Sequence, residues 1–151
     1  MKTVILIGAQ GHMGQAAMTG LKKHNVITAS RSGTGCDHTV DITSKASIKA
    51  LFEKVGPFDA VVNTVGYCEY ANFSEMTDEQ WDTTIQSKMV GQINLVNVGL
   101  NYINDGGSFT LISGILNVKP IPMAIADATT SGAIDTFAQC VAHELPRHVR
   151  V

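Results

Sequence analysis

Apolar positions along the chain form short continuous runs that alternate with longer stretches of helical spacing. The short runs predict buried strands over residues 3–7, 26–29, 38–40, 59–63 and 108–113. The longer stretches predict helices over residues 12–24, 43–55, 77–102 and 123–145. Strands separated by helices of this length predict βαβ units with right-handed crossovers. The pattern therefore indicates an α/β fold, a doubly wound parallel sheet with helices on both faces.

Local signals refine the ends of these elements. Thr43 is a candidate cap for the second helix, and Thr77 with Gln80 three residues later is typical of a capping box. Residues 104–107 (NDGG) predict a turn before the fifth strand, and Pro146 is expected to stop the last helix. Residues 148–151 resemble a strand that is just beginning. We therefore expect a single domain over residues 1–151 whose sheet lacks its C-terminal portion, and a longer native chain.

Composition excludes several classes of protein. The chain is 44% hydrophobic and 16% charged, with a net charge of −2 and no basic run, which argues against disorder and against nucleic-acid or anionic-membrane partners. No apolar stretch approaches the ~20 residues of a membrane span. The three cysteines lack CxxC spacing, which favours reduced thiols in the cytoplasm. His143, Glu144 and His148 have the wrong spacing for a zinc helix, so no metal is expected.

A glycine-rich segment, Gly8 to Gly14, joins the first predicted strand to the first predicted helix. Gly8, Gly11 and Gly14 allow a tight turn and a close approach of a pyrophosphate to free N–H groups at the helix start. The interpretation is a Rossmann-type nicotinamide-dinucleotide site; the alternative is a tight structural turn in another α/β protein. The other candidate contacts in this loop are Gln10, His12 and Met13.

The second predicted strand ends without a carboxylate, in Ser30-Arg31-Ser32. An acidic residue there would bind the ribose hydroxyls and repel a 2′-phosphate, whereas Arg31 would attract one. Ser30 and Ser32 would add hydroxyl hydrogen bonds. These residues favour NADP(H) over NAD(H); the alternative is an Arg31 that is merely solvated.

The order of motifs resembles the short-chain dehydrogenase/reductase family over nearly the whole chain. The similarity is carried by Asp41-Ile42, by Asn63-Thr64-Val65-Gly66 after the fourth strand, by Trp81-Asp82, and by the run HELPRHVRV. The glycine spacing departs from the commonest family form. The resemblance implies that Asp41, Ile42, Asn63, Val65 and Gly66 contact the cofactor. It also implies a homo-oligomer.

The positions that carry catalysis in the family are replaced here. No YxxxK motif occurs, and the resemblance aligns Asp127 with the family tyrosine and Ser131 with its lysine. Gly114 aligns with the family serine, directly after Ser113, and Lys88 aligns with its helix asparagine. The candidate catalytic residues are therefore Lys88, Ser113 and Asp127.

Each candidate carries a specific hypothesis. Lys88 either contacts the nicotinamide ribose or pairs with Asp127, with Ser113 nearby; the alternative is an exposed helix lysine. Asp127 would act as an acid only if burial raised its pKa. Tyr67 and Tyr70 are expected to line the crevice mouth as packing tyrosines, with a replacement acid as the alternative.

These residues favour an NADP(H)-dependent oxidoreductase that acts on an unidentified carbonyl or alcohol substrate through a non-standard active site. The alternative is a non-catalytic NADP(H)-binding sensor or regulatory protein. A third possibility is an interaction module that binds no nucleotide.

Overall fold

The computed structural model describes residues 1–151 and contains one parallel sheet of strand order β3-β2-β1-β4-β5. The strands are β1 Thr3–Ile7, β2 Asn25–Ser30, β3 His38–Thr39, β4 Phe58–Asn63 and β5 Ile103–Thr110. The α-helices are α1 His12–Leu21, α2 Lys45–Val55, α3 Asp78–Thr84, α4 Gly91–Gly99 and α5 Ile125–Val141. A π-helical turn, Ile85–Val90, joins α3 to α4. This topology confirms the predicted doubly wound sheet.

The core is built around β1, which pairs with β2 on one side and β4 on the other. Residues 4–7 of β1 are all buried, as expected for a strand covered on both faces. Below the sheet, Phe52 of α2 and Phe58 of β4 pack with ring centroids 4.9 Å apart. The rigid centre of the sheet therefore fixes the carboxyl ends of β1 and β4, where the candidate loops begin.

Helix ends differ from the sequence expectations by a few residues. α1 ends at Leu21 rather than at residue 24. Ser44, not Thr43, caps α2: Ser44 Oγ accepts a hydrogen bond from Ser47 N at 3.2 Å, while the Thr43 hydroxyl donates to Asp41 instead. α5 ends at Val141, so the prediction that Pro146 stops it is wrong.

The predicted turn at residues 104–107 lies inside β5. Phe58 pairs with Ile103 and Ala60 with Ser108, so three extra residues of β5 form a bulge. Gly106, with φ at +71°, supplies the left-handed conformation that the bulge needs. The turn-forming residues thus interrupt the register without ending the strand. β5 ends at Thr110, and residues 111–113 are not extended partners of β4, contrary to the prediction.

The predicted helix over residues 77–102 is divided into α3, the π-helical turn and α4, and it ends at Gly99. Its capping box is confirmed: Thr77 Oγ1 accepts from Gln80 N, and Gln80 Oε1 accepts from Thr77 N at 3.0 Å. At the end of the chain, Arg150 forms a single parallel bridge with Ser108. No helix combines the length and the apolar character that crossing a membrane requires.

Candidate functional site

The glycine loop follows β1 at the point where the strand order reverses between β1 and β4. Gly8 has φ at +87°, and a Cβ there would lie 2.4 Å from Val65 Cγ1. A Cβ on Gly14 would lie 2.1 Å from Gly8 O, so only glycine lets α1 pack this closely on the loop. Ligands of doubly wound sheets bind in the crevice at such a reversal. The loop therefore has the shape that the sequence predicts.

The first turn of α1 faces outward from this loop. Its N-cap is Gly11, which has no side chain to cap the first N–H groups, so the positive end of the helix is open to an anion. His12 and Met13 are exposed at this end. Gln10 is engaged elsewhere, because its Nε2 donates to Gly35 O at 2.6 Å and ties the loop to the β2–β3 connection.

A cleft of about 210 Å³ lies beside the loop. Six predicted contacts line it: Ser30, Arg31, Asp41, Ile42, Val65 and Gly66. The Arg31 side chain is exposed and takes part in none of the four ion pairs of the structure. Sequence reasoning missed Thr43 and Ser87, which also line the cleft. Ser87 lies in the π-helical turn, and no local pattern in the sequence indicates that position.

The predicted contacts of the glycine loop lie beside the cleft and not in its lining, and two predicted contacts outside the loop, Asn63 and Ser32, do not line it either. Asn63 is only 2% exposed, and its Nδ2 donates to Val65 O at 2.7 Å and to Gln92 Oε1 at 3.0 Å. Asn63 therefore fixes the loop that carries Val65. Ser32 Oγ accepts from Thr34 N at 3.3 Å and stabilises the turn after β2.

A second polar cluster lies beside the start of α5, and its centre is Asp127. The Lys88 ammonium of the π-helical turn forms a hydrogen-bonded ion pair with Asp127 Oδ1, and both side chains are less than a tenth exposed. Ser131 Oγ donates to the same oxygen at 3.1 Å, and Tyr70 Oη donates to Oδ2 at 2.6 Å. Of the two hypotheses for Lys88, the structure shows the pairing with Asp127. The alternative of an exposed lysine is wrong.

The hydrogen bonds set the protonation states in this cluster. Burial raises the pKa of Asp127, but the hydrogen bonds from Lys88 and Tyr70 lower it by more than burial raises it. The pKa of Asp127 therefore lies below its usual value. Asp127 is therefore a carboxylate and not the acid considered from the sequence. Its hydrogen bond raises the pKa of Tyr70 to about 12, and burial raises the pKa of the neighbouring Cys68 to about 11.

The expectations for Ser113 and Tyr70 need correction. Gly114, not Ser113, adjoins the cluster: a Cβ on Gly114 would lie 3.2 Å from Ser131 Oγ and 3.6 Å from Lys88 Nζ. Ser113 lines a separate cavity with Ile134. Tyr70 is half-exposed and bonded to Asp127, so it is not simply a packing residue.

Comparisons with known proteins agree with this geometry. The family model described as enoyl-(acyl carrier protein) reductase matches residues 5–151. A crystal structure of a Listeria innocua protein is 43% identical with a TM-score of 0.96, covering 99% of this chain and 74% of that one. A small-chain dehydrogenase solved in complex with NADPH is 26% identical with a TM-score of 0.87, covering 96% of this chain and 65% of that one. An uncharacterized oxidoreductase of Methylorubrum extorquens is 23% identical over 173 residues, covering 99% of this chain and 70% of its own length.

The chain belongs to the short-chain dehydrogenase/reductase family, as its order of motifs indicates. It spans between 38% and 74% of the length of the relatives and solved structures that it matches. The residues matched by the family model, 5–151, include the glycine loop and all residues of the cleft and of the Asp127 cluster.

Proposed function

We propose that the protein binds NADP(H) in preference to NAD(H) and acts as an oxidoreductase on a carbonyl or alcohol substrate through a non-standard active site. The observation that carries this proposal is the free Arg31 guanidinium in the cleft beside the glycine loop. The NADPH-bound relative supports the same cofactor class.

The residues present fit such a cofactor. Gly8 and Gly14 let the loop pack tightly on Val65 and on its own backbone, Gly11 adds no side chain at the helix start, and the open N-terminus of α1 suits a pyrophosphate. Arg31 can grip a 2′-phosphate with two parallel N–H donors. Asp41 Oδ1 accepts from Thr43 N at 2.9 Å and from Thr43 Oγ1 at 2.7 Å, which holds this wall of the cleft in place. When bound, the nicotinamide would supply hydride chemistry.

Lys88 and Asp127 are the residues we propose for the reaction site. The Lys88 ammonium keeps Asp127 ionised and makes the buried pair neutral overall. Asp127 stands where the family resemblance places a tyrosine and Lys88 where it places an asparagine, so proton transfer would differ from that in family members that have the tyrosine.

Replacing Arg31 tests the cofactor preference. Arg31→Ala removes at least one charge-assisted hydrogen bond of about 1.5–3 kcal/mol, so NADPH affinity should fall by at least about 10- to 150-fold while NADH affinity stays nearly constant. Lys23→Ala is a matched control, because it removes the same charge from an exposed turn beyond α1. Equal losses for the two cofactors in Arg31→Ala would contradict the 2′-phosphate assignment.

Turnover separates an enzyme from a binding protein. Purified protein with NADPH or NADP⁺ should be assayed with aldehydes, ketones, quinones, an enoyl thioester and a panel of primary and secondary alcohols. Cofactor binding without turnover on any of them would favour the sensor or regulatory alternative. We also propose a cytoplasmic homo-oligomer, which light scattering and cell fractionation would test.

A further inference from the structure

Tyr67 differs from the other residues that line the cleft beside the glycine loop. The apolar part of that lining consists of Ile7, Val40, Ile42, Val65 and Tyr67. Ile7, Val40 and Ile42 are less than a tenth exposed, so they form a closed aliphatic floor. Tyr67 is 57% exposed and is the only aromatic residue of the lining. A single aromatic ring therefore stands at the open side of an otherwise aliphatic cleft.

Hydrogen bonds hold both the backbone and the ring of Tyr67. Its backbone N donates to Ser87 Oγ of the π-helical turn at 2.9 Å, and its Oη donates to Glu69 Oε1 at 2.8 Å. Gly66, the residue before it, passes close to the same turn, because a Cβ on Gly66 would lie 3.3 Å from Lys88 Cγ. The ring is thus fixed before a ligand arrives, so little conformational entropy is lost when a ligand contacts it.

A second hollow, of about 350 Å³, adjoins the cleft and shares four residues with it: Arg31, Thr43, Tyr67 and Ser87. The rest of its lining is polar and comes from α3 and the π-helical turn: Asp82, Thr83 and Gln86. Tyr67 therefore lies at the boundary between an apolar hollow and a polar one. The same boundary holds the guanidinium of Arg31, which is the proposed ligand of the 2′-phosphate. A flat apolar group that is joined to a phosphate fits this arrangement.

We propose that Tyr67 binds the adenine ring of NADP(H) by stacking on it, and that Ser87 is the positioning residue that holds Tyr67 in place. This rests on the proposed NADP(H) site and adds to it a contact that the family resemblance does not assign. Adenine is planar and has two π faces. The aliphatic floor of the cleft covers one face of the base, and the Tyr67 ring covers the other.

The hydroxyl group of Tyr67 is compatible with this contact. It donates to Glu69 at the edge of the ring, so the hydrogen bond leaves the ring face free for a base. The same hydrogen bond raises the pKa of Tyr67 above its ordinary value, so the phenol carries no charge at neutral pH. A phenolate at this place would repel a 2′-phosphate bound by Arg31, whereas the neutral phenol does not.

Replacing Tyr67 tests the stacking by calorimetric titration. In Tyr67→Ala, NADPH affinity should fall about 5- to 150-fold, which is the usual loss when the aromatic partner of a base is removed. The affinity for adenosine 2′,5′-bisphosphate should fall by a similar factor, because this compound contains the adenine half of the cofactor alone. Tyr67→Phe keeps the ring, so its affinities should stay within about threefold of the wild type. Phe73→Ala is the matched control: it removes a 73% exposed ring from the same connection but from a separate hollow, and it should change neither affinity by more than about twofold.

Replacing Ser87 tests its role as a positioning residue. Ser87→Ala removes the acceptor for Tyr67 N, so NADPH affinity should fall about 2- to 10-fold. Ser87→Thr keeps a hydroxyl at this position and should restore most of the affinity. In a double variant with Tyr67→Ala, the Ser87→Ala change should have little further effect, because the ring that Ser87 holds is already gone.

Nuclear Overhauser effects give a readout that does not depend on affinity or turnover. Wild-type protein labelled in its tyrosine rings and saturated with adenosine 2′,5′-bisphosphate should show such effects between the Tyr67 ring protons and the C–H protons of adenine. The Tyr67→Phe variant identifies the Tyr67 signals, because they are missing from its spectrum. These effects should weaken in Ser87→Ala, where the ring is no longer held by its backbone.

Each contrary outcome has a definite meaning. A folded Tyr67→Ala variant that binds NADPH within about twofold of the wild type would overturn the stacking and leave the NADP(H) site standing. Wild-type protein that binds adenosine 2′,5′-bisphosphate without Overhauser effects to Tyr67 would do the same, and this result decides the question if Tyr67→Ala proves unfolded in thermal melts. A wild type that binds neither NADPH nor the bisphosphate would overturn the proposed cofactor site itself.

Discussion

The buried ion pair between Lys88 and Asp127 makes a quantitative prediction about stability. Their side chains are 7% and 9% exposed, so removing one partner leaves a nearly buried charge without its counter-ion. Such a change typically costs about 3–5 kcal/mol. Lys88→Met should lie near the lower end, because Asp127 keeps its hydrogen bonds from Tyr70 and Ser131. For a chain of this length that range corresponds to a melting temperature lowered by about 6–20 °C.

Urea unfolding of a double-mutant cycle tests this prediction. Lys88→Met and Asp127→Asn should each be strongly destabilising, and the double variant should be more stable than the sum of the two losses predicts, by 2 kcal/mol or more. Lys49→Met is the control, because it breaks an exposed pair with Glu53 and should cost about 0.5 kcal/mol or less. Single variants that cost less than about 1 kcal/mol, or strictly additive losses, would refute the buried pair.

Three further changes test other parts of the structure. The stability lost in Lys88→Met should depend on pH. Because the pKa of Asp127 is lowered in the folded protein, the wild type's extra stability is present above about pH 4 and is lost as pH falls through that pKa. A difference in unfolding free energy that stayed constant from pH 7 to 3 would be inconsistent with this pair. Gly14→Ala places a methyl 2.1 Å from a backbone oxygen, so it should cost about 1–3 kcal/mol of stability and weaken NADPH binding. The control Gly20→Ala meets nothing within 4 Å and should stabilise α1. Similar effects of the two variants in thermal melts and NADPH titrations would contradict the loop geometry. Ser44→Ala should cost about 1 kcal/mol in urea unfolding, and a neutral result would remove its role as the cap of α2.

The sequence predicts the centre of the sheet well, because β1 and β4 contain short apolar runs that are favourable only when buried. The predicted strand over residues 3–7 is β1, and the one over residues 59–63 lies within β4. The glycine loop follows β1, as its position in the sequence predicts. The bulge in β5 was missed for a physical reason. Residues 104–107 have turn chemistry, but whether a turn ends a strand or bulges within it depends on the neighbouring strand, which local sequence does not reveal.

The candidate site likewise contains residues that the sequence places correctly and residues that depend on long-range contacts. Arg31, Asp41 and Val65 follow strands directly, so strand order places them at one edge of the sheet and the cleft is predictable. The family resemblance places Asp127 and Lys88 at neighbouring catalytic positions, so their pairing is predictable from it, whereas the protonation state of Asp127 follows only from the hydrogen bonds in the structure. Tyr70 could not be placed from the sequence, because its position depends on the hydrogen bonds that hold an irregular connection against the long helix.

The most direct test of the account is calorimetric titration of the wild-type protein with NADPH and, separately, with NADH. The cleft beside Arg31 and the open glycine loop predict saturable binding of NADPH with one site per chain and weaker binding of NADH. Binding of neither dinucleotide, or tighter binding of NADH, would contradict the central claim that this cleft is an NADP(H) site.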